Sequence, residues 1–515
     1  MGIERRIMIG QHFVCGFEGT GMDDSFIEAV QRYKIGNVIL FSRNIANKEQ
    51  LYKLCFDIQE LVQHECGHPA LITIDQEGGM VTRLSGDCTN VPSAMAIAAT
   101  GDEKSAYDAG LITATELRAL GVNVDFAPCL DVNSNSHNPV IGVRSYGDRS
   151  EVVSSYGLSM IDGLQSGGVM AVAKHFPGHG DTHLDSHVAL PVVEGTKEEL
   201  AMHLAPFRSA VAGGVMGIMT SHILFPQLEK NNVPATMSRS IITDFLRSEL
   251  GFKGLIFSDC MEMDAIAKHY GTVKGAVAAL KAGVDLVCIS HRVCLGCEAV
   301  EAVEAALDAG VLSEADLKQS THNILLAKAM LSEEQRPPLS VVDCPEHRVM
   351  NQKLHRQSLT LVQDVPFALG DNPCFVGPKC FRATNVSSDE EALVFAPYMA
   401  ALLGGSSIVT DENPGNEEIE RVGKQTSSSS SVVCATYNGH LHPGQVQLVN
   451  SLVENKPVLC IALRNPYDLA LLDARIRSIA AYAYIKPVLA ALAKYVQEPF
   501  PLEGRLTVSL GGSHA

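Results

Sequence analysis

The stretch 171-AVAKHFPGHGDTHLDSHVALP-191 places His175, His179, His183 and His187 at intervals of four. On a helix this spacing would stack four imidazoles on one face, as a zinc-binding comb does. The segment cannot be that helix. Pro177, Gly178 and Gly180 interrupt it, and Pro177 biases Phe176 out of the helical region. It reads instead as a buried strand, VMAVAKHF, running into a polar loop. Lys174 and His175 then stand at the strand's end, where they should point into a site, and the loop carries Asp185 and His187 two residues apart. A carboxylate so placed can orient an imidazole and raise its pKa, preparing it for proton transfer near neutral pH. The histidines are read as one dyad, and no metal is expected.

Three further stretches carry residues of the same kind. In LITIDQEGGMVTRL, Asp75 ends an apolar strand and Arg83 follows a glycine pair. A carboxylate there can accept hydrogen bonds from the hydroxyls of a polyol, the alternative being an N-cap for a following helix. In NPVIGVRSYGDRS, Arg144 lies in a glycine-flanked loop before a helix starting near Ser150. Arginine suits fixed, multidentate contacts with oxygens, though a surface arginine closing a loop would look the same. In GLIFSDCMEMDAI, Asp259 directly follows the apolar run from Leu255. An ionised aspartate in a partly dry cavity is costly without a partner or a task, and as a nucleophile it could attack an anomeric carbon.

These residues need a frame that brings strand ends together. From residue 1 to about 330, eight short apolar runs alternate with amphipathic stretches such as 103–120 and 197–213. Alternation of this kind predicts a parallel sheet with buried strands, and eight units in roughly 300 residues predict a (β/α)8 TIM barrel. An open doubly wound sheet is the structural alternative. Polar residues crowd the C-terminal ends of the runs (Asp75, Asp131, Lys174, His175, Ser221, His222, Asp259, Ser290, His291), and barrel enzymes build their sites at that face. A helix over about 314–332 closes the first unit. The polar, proline-containing stretch SEEQRPPLSVVDCPEH marks a boundary, and a second, smaller α/β unit begins near 348, with PLEGRLTVSLGG as its final strand. The predicted division is a catalytic barrel over 1–333, a linker over 334–347 and a second domain over 348–515.

Composition bounds the function. A chain of 515 residues with 46% apolar content has the makings of two or three packed domains. A formal net charge of −18 argues against a nucleic-acid partner. No apolar run reaches the roughly 18 residues of a membrane span, and the N-terminus lacks the apolar core of a signal peptide. It starts Met-Gly, but Arg6 stands where a myristoylation site would carry Ser or Thr. The 14 cysteines, scattered mostly in apolar runs, fit reduced thiols in a cytoplasmic protein. The lone pair Cys294 and Cys297 has no second half to complete a zinc site. The oligomeric state is left open.

KHFPGHGDTHLDSH, together with IDQEGGMVTRL, IGVRSYGD and IFSDCMEM, resembles the β-N-acetylglucosaminidases of glycoside hydrolase family 3, and most closely the bacterial peptidoglycan-recycling enzymes. The four motifs occur in the family's order across residues 1–330, and the histidine loop separates this subgroup from the family's β-glucosidases. The resemblance implies that the second domain is an α/β/α sandwich. It implies Asp259 as the nucleophile of a retaining mechanism and His187 as general acid/base, assisted by Asp185. Asp75, Arg83, Arg144, Lys174 and His175 would hold the sugar, and no cofactor would be needed. Many family members take an acid/base glutamate from the second domain; the region ATYNGHLHPGQVQLV offers none, in keeping with the histidine loop doing that work. The chain has no tryptophan, so any stacking on the sugar must use Phe, Tyr or Met. The expected activity is an exo-β-N-acetylglucosaminidase releasing terminal β-linked GlcNAc through a glycosyl-enzyme. Alternatives are a β-N-acetylglucosaminide phosphorylase, a metal-dependent hydrolase and a non-catalytic sugar-binding barrel.

Overall fold

The structure, a computed structural model, describes residues 2–182, 190–196, 198, 200–333, 335–379, 393–454 and 456–511. Among them, eight strands alternate with helices: β1 (Phe13–Cys15), β2 (Asn37–Leu40), β3 (Leu71–Ile74), β4 (Val124–Asp125), β5 (Met170–Phe176), β6 (Gly217–Thr220), β7 (Leu255–Phe257) and β8 (Val287–Ile289). They pair in parallel in chain order from β1 to β7, and β8 returns to β1. The circle closes through a bridge between Phe257 and Leu286. There Ser258 N donates to Leu286 O at 2.8 Å, and Leu286 N donates to Ile256 O at 3.0 Å. This closure selects the barrel over an open sheet, whose edges would stay unpaired.

The two-residue period of a strand decides what the barrel encloses. Leu71, Met170, Val172, Leu255 and Phe257 belong to the cluster inside the barrel. Their neighbours Ile72, Ile74, Ala171, Ala173 and Ile256 pack outward, beneath the helices. Continuing the inward register past the strand ends reaches Asp75 after β3, Lys174 in β5 and Asp259 after β7, all at the same mouth. At the other end, helix Glu314–Glu333 adds Ile324, Ala327 and Leu331 to the interior cluster and stoppers the barrel. Lys328 of this helix is buried, and its ammonium donates to Gln11 Oε1 at 2.6 Å and Gly36 O at 3.0 Å.

A second sheet, six-stranded among the described residues, comprises β9 (Thr360–Gln363), β10 (Pro373–Pro378), β11 (Ser406–Thr410), β12 (Ser431–Thr436), β13 (Val458–Ala462) and β14 (Arg477–Ala480). Its order is β11-β10-β12-β13-β14-β9, parallel except for antiparallel β9 at the edge. Val433, Leu459, Ile461 and Ile479 face helices Phe395–Leu403 and Lys486–Gln497. Val432, Cys434, Val458 and Cys460 face helices Asn416–Gln425 and Pro443–Leu452 on the other side, which gives an α/β/α sandwich. Met95, Ala96 and Ala99, of the short helix Ala94–Ala99, and Val143, of the turn Gly142–Arg144, join that second cluster. The two units therefore share part of one core.

PLEGRLTVSLGG is not the strand that its sequence predicts. Its described residues have no regular secondary structure and join neither sheet. Arg505 N donates to Ala99 O at 2.8 Å, Asp148 N donates to Thr507 O at 3.2 Å, and Ser509 N donates to Asp148 Oδ2 at 2.6 Å. Val508 packs into the shared core. The alternating pattern is real, but its polar backbone is answered by barrel loops in place of a neighbouring strand, so the segment straps one unit to the other.

Candidate active site

At the barrel mouth, β3 and β5 deliver a buried network of charges. Lys174 Nζ donates to Asp75 Oδ1 at 2.7 Å and lies 2.7 Å from Glu77 Oε1. Arg144 grips Glu77 with both arms of its guanidinium, Nε to Oε2 at 2.9 Å and NH2 to Oε1 at 2.7 Å. Arg83 NH2 stands 3.8 Å from Asp75 Oδ2. Arg144, Lys174 and Arg83 are 4%, 2% and 7% exposed, so the ion pairs are shielded from water. Burial alone would push the Glu77 carboxyl up, but the Arg144 and Lys174 charges overcome it and hold it well below the ordinary carboxylate range. Burial likewise works against the charge on Lys174, and Asp75 and Glu77 more than restore it. Asp75 is therefore no N-cap; the next described helix, Ala94–Ala99, starts far beyond it. Arg144 is no surface arginine.

The opening question about the histidine row has a geometric answer. Asp131, fully buried after β4, receives the His175 ring through Nδ1 at 2.6 Å and the His179 backbone N–H at 2.7 Å. The two rings meet edge to face, 5.7 Å between centroids. His179 Nδ1 lies 2.8 Å from Thr182 Oγ1, and burial pushes its imidazole down to about 4. The first half of the loop is thus moulded onto the β4 loop. A Cβ at Gly180 would come within 1.7 Å of Val132 O, so only glycine fits that approach. His183, Asp185 and His187 lie outside the described residues.

Cys129, Asp131 and His175 bring three ligand-type atoms within 4.8 Å of one another. A metal there would have to displace the His175–Asp131 hydrogen bond, and it would need a thiolate. Burial pushes the Cys129 thiol well above its ordinary value, against forming one, and Cys129 Sγ already lies 3.2 Å from Asp131 Oδ2. The trio reads as a hydrogen-bonded support for His175. Asp259 is half-buried at the end of β7, with Cys260 N donating to its Oδ1 at 2.7 Å. Burial pushes the Cys288 thiol of β8 well up, and the nearby charges of Asp259 and Asp75 add to that shift.

Sequence reasoning singled out Asp75, Arg83, Arg144 and Lys174, which the structure brings together, with His175 beside them on Asp131. It missed Glu77, the hub of the network, and treated Asp131 as one polar strand end among several. Glu77 could have been found: it lies two residues past Asp75 and keeps the inward register. The second unit also reaches the site's frame. Asn133 Nδ2 donates to Tyr467 Oη at 2.6 Å, while Gly142 N donates to Asn133 Oδ1 at 3.2 Å at the start of the turn that carries Arg144. His440 Nε2 lies 3.0 Å from Ser136 O on the same loop.

Comparison with known proteins matches this architecture. A family model described as "Glycosyl hydrolase family 3 N terminal domain" matches residues 9–327. Beta-hexosaminidase A of Pseudoalteromonas piscicida is 29% identical over 561 residues, covering 96% of this chain and 92% of the relative. The beta-hexosaminidase of Idiomarina loihiensis is 34% identical, covering 62% of this chain and 94% of its own. Among solved structures, a glycoside hydrolase family 3 beta-N-acetylglucosaminidase from Paenibacillus sp. str. FPU-7 superposes with a TM-score of 0.90 at 36% identity, covering 98% of each chain.

Proposed function

The chain belongs to glycosyl hydrolase family 3 and is a glycoside hydrolase, and from that premise we propose that it removes terminal β-linked N-acetylglucosamine with retention of configuration. The observation that carries the reading is the pairing of a buried network of ion pairs, Asp75–Lys174–Glu77–Arg144, with a strand-end Asp259 at the same mouth. Fixed charges of this density, held by one another, hold a polyol in a single pose without reorganising. The names of the relatives, hexosaminidases and an N-acetylglucosaminidase, favour the N-acetylated sugar.

In this mechanism Asp259 attacks the anomeric carbon as the bond to the aglycone oxygen breaks, and His187, oriented by Asp185, gives its proton to that oxygen. Water then attacks the Asp259 ester, with His187 taking a proton from it, and β-configured sugar leaves. Asp75 and Lys174 bind hydroxyls. Arg83, Arg144 and His175 complete the subsite, Arg144 chiefly by fixing Glu77. No helix of the described residues is long and apolar enough to cross a membrane, and the free, mostly buried cysteines fit a reducing, cytoplasmic setting.

The test is stereochemical. Proton NMR of the first-formed hemiacetal should show the β-anomer before mutarotation, and a mechanism-based fluorosugar should label Asp259. An α-anomer, or a label on another residue, would overturn the assignment.

A further inference from the structure

A second cleft, of about 1110 Å³, opens where the barrel loop 82–90, helix Pro345–Ser358 and helix Lys486–Gln497 meet. Its charge runs against that of the molecule. On a chain of net charge −18, the lining presents Arg83, Arg348, Lys353, Arg356, Lys486 and Lys494 against two carboxylates, Asp343 and Glu503. Arg348 is committed to Asp343 at 2.6 Å. Arg356 lies over the Phe500 ring, 4.2 Å from its centroid, and forms with it a flat, partly apolar strip. Lys353, Lys486 and Lys494 have no carboxylate partner among the described residues, so three like charges face one concave space.

The second observation is His355, which lines the same cleft and is 1% exposed. At least one of its ring nitrogens has no hydrogen-bond partner among the described residues. The Asn90 carbonyl, which also accepts from Asn351 Nδ2 at 3.0 Å, stands beside the ring and can answer only one of its two nitrogens. Buried polar groups in folded proteins are almost always answered, and one left open at a cleft wall can be answered by a molecule bound there.

We propose that this cleft binds a small phosphate ester with a polar, sugar-sized body. The lysines supply point charges for the phosphate, which needs no planar fork. The Arg356–Phe500 strip offers a flat face for the body, and the His355 N–H donates to one of its hydroxyls. Arg83 connects this cleft to the sugar site, since it lines the cleft and stands 3.8 Å from Asp75 Oδ2. The proposal does not depend on which glycoside the enzyme hydrolyses.

Calorimetric titration of the full chain tests it, with glucose 6-phosphate and inorganic phosphate as separate probes. Glucose 6-phosphate should bind at one site per chain with Kd below about 1 mM, and inorganic phosphate should bind roughly tenfold more weakly, having no body to stack. The double variant K353E/K494E, whose changes are on the surface, should keep its melting temperature and lose at least about tenfold in affinity, since two attractions become repulsions. His355→Gln should weaken the ester more than the free ion. No heat from either probe, or an affinity unchanged in K353E/K494E, would overturn the site. Equal affinity for the two probes would overturn the ester assignment.

Discussion

Replacing Glu77 by Gln keeps its shape and removes one charge from a network in which two buried cations depend on it. Arg144 loses its carboxylate partner, and Lys174 is left with Asp75 alone. Removing one partner from a buried ion pair costs about 3–5 kcal/mol, because the other charge remains buried. Unfolding entropy is about 2.1 cal/mol/K per residue, so a barrel of roughly 320 residues changes by about 0.7 kcal/mol per degree near its midpoint, and the melting temperature should fall by roughly 4–7 °C. Activity should fall as well. Lys174, no longer held from two sides, settles onto Asp75 and shifts the carboxylate that meets the sugar, and a displacement of that kind can cost about 100-fold. Differential scanning calorimetry and kcat/KM on an aryl β-N-acetylglucosaminide read the two effects separately. Because the loss of activity runs through Asp75, the double variant D75N/E77Q should lose less in kcat/KM than the two single losses multiplied together. A Glu77→Gln protein melting within about 1 °C of wild type with kcat/KM within about threefold would refute the claim that this carboxylate neutralises the site.

Three further outcomes are expected. Burial pushes the Asp468 carboxyl up to about 6; the unfolded chain ionises first as pH rises, so this group lowers stability progressively between about pH 4 and 6, by about 3 kcal/mol in all. Asp468→Asn should remove that fall. His179 and His440, pushed by burial to about 4, act in the opposite sense, their contribution being lost as pH drops from about 6.5 toward 4; they act equally in both proteins, so the difference between the two denaturation profiles isolates Asp468. His187→Ala should spare glycosylation by an aryl substrate with an acidic phenol while slowing a natural sugar aglycone by about 10²–10⁴; equal losses in single-turnover measurements would remove His187 from the acid role. Tyr467→Phe leaves the buried Asn133 amide without its acceptor and should cost about 1–3 kcal/mol in denaturant unfolding, a loss that Asn133→Ala made first should largely absorb.

The barrel was legible because its strands are short, apolar and buried on both faces, so each appears as a run between amphipathic stretches. Strand parity then carried the reading into the site: the register of Leu255 and Phe257 aims Asp259, and that of Met170 and Val172 aims Lys174. Pairing was not legible. Nothing in the spelling of DQEGG says that Glu77 will meet an arginine 67 residues away, because ion pairing is settled by tertiary approach and not by local preference. The same limit hid Asp131, whose partners come from β5 and the loop beyond it. The 501–511 segment misled for a related reason. Alternating side chains describe an extended chain with one buried face, and they are silent on whether another strand or a barrel loop answers the backbone.

The strap at 505–509 gives assembly a schedule. Its anchors, Ala99 and Asp148, belong to the part of the chain that is synthesised early, yet the strap follows the stopper helix by roughly 170 residues. At about 5–20 residues per second these take roughly 9–34 s to emerge. A barrel folded on its own meanwhile shows bare apolar surface at Met95, Ala96, Ala99 and Val143, which the sandwich later covers. Until the sandwich docks, that patch is open to any other sticky chain nearby. A truncation near residue 500 would leave the sandwich seated without the strap that ties it to the barrel, so its first symptom in expression should be aggregation of a correctly built barrel whose cover comes away.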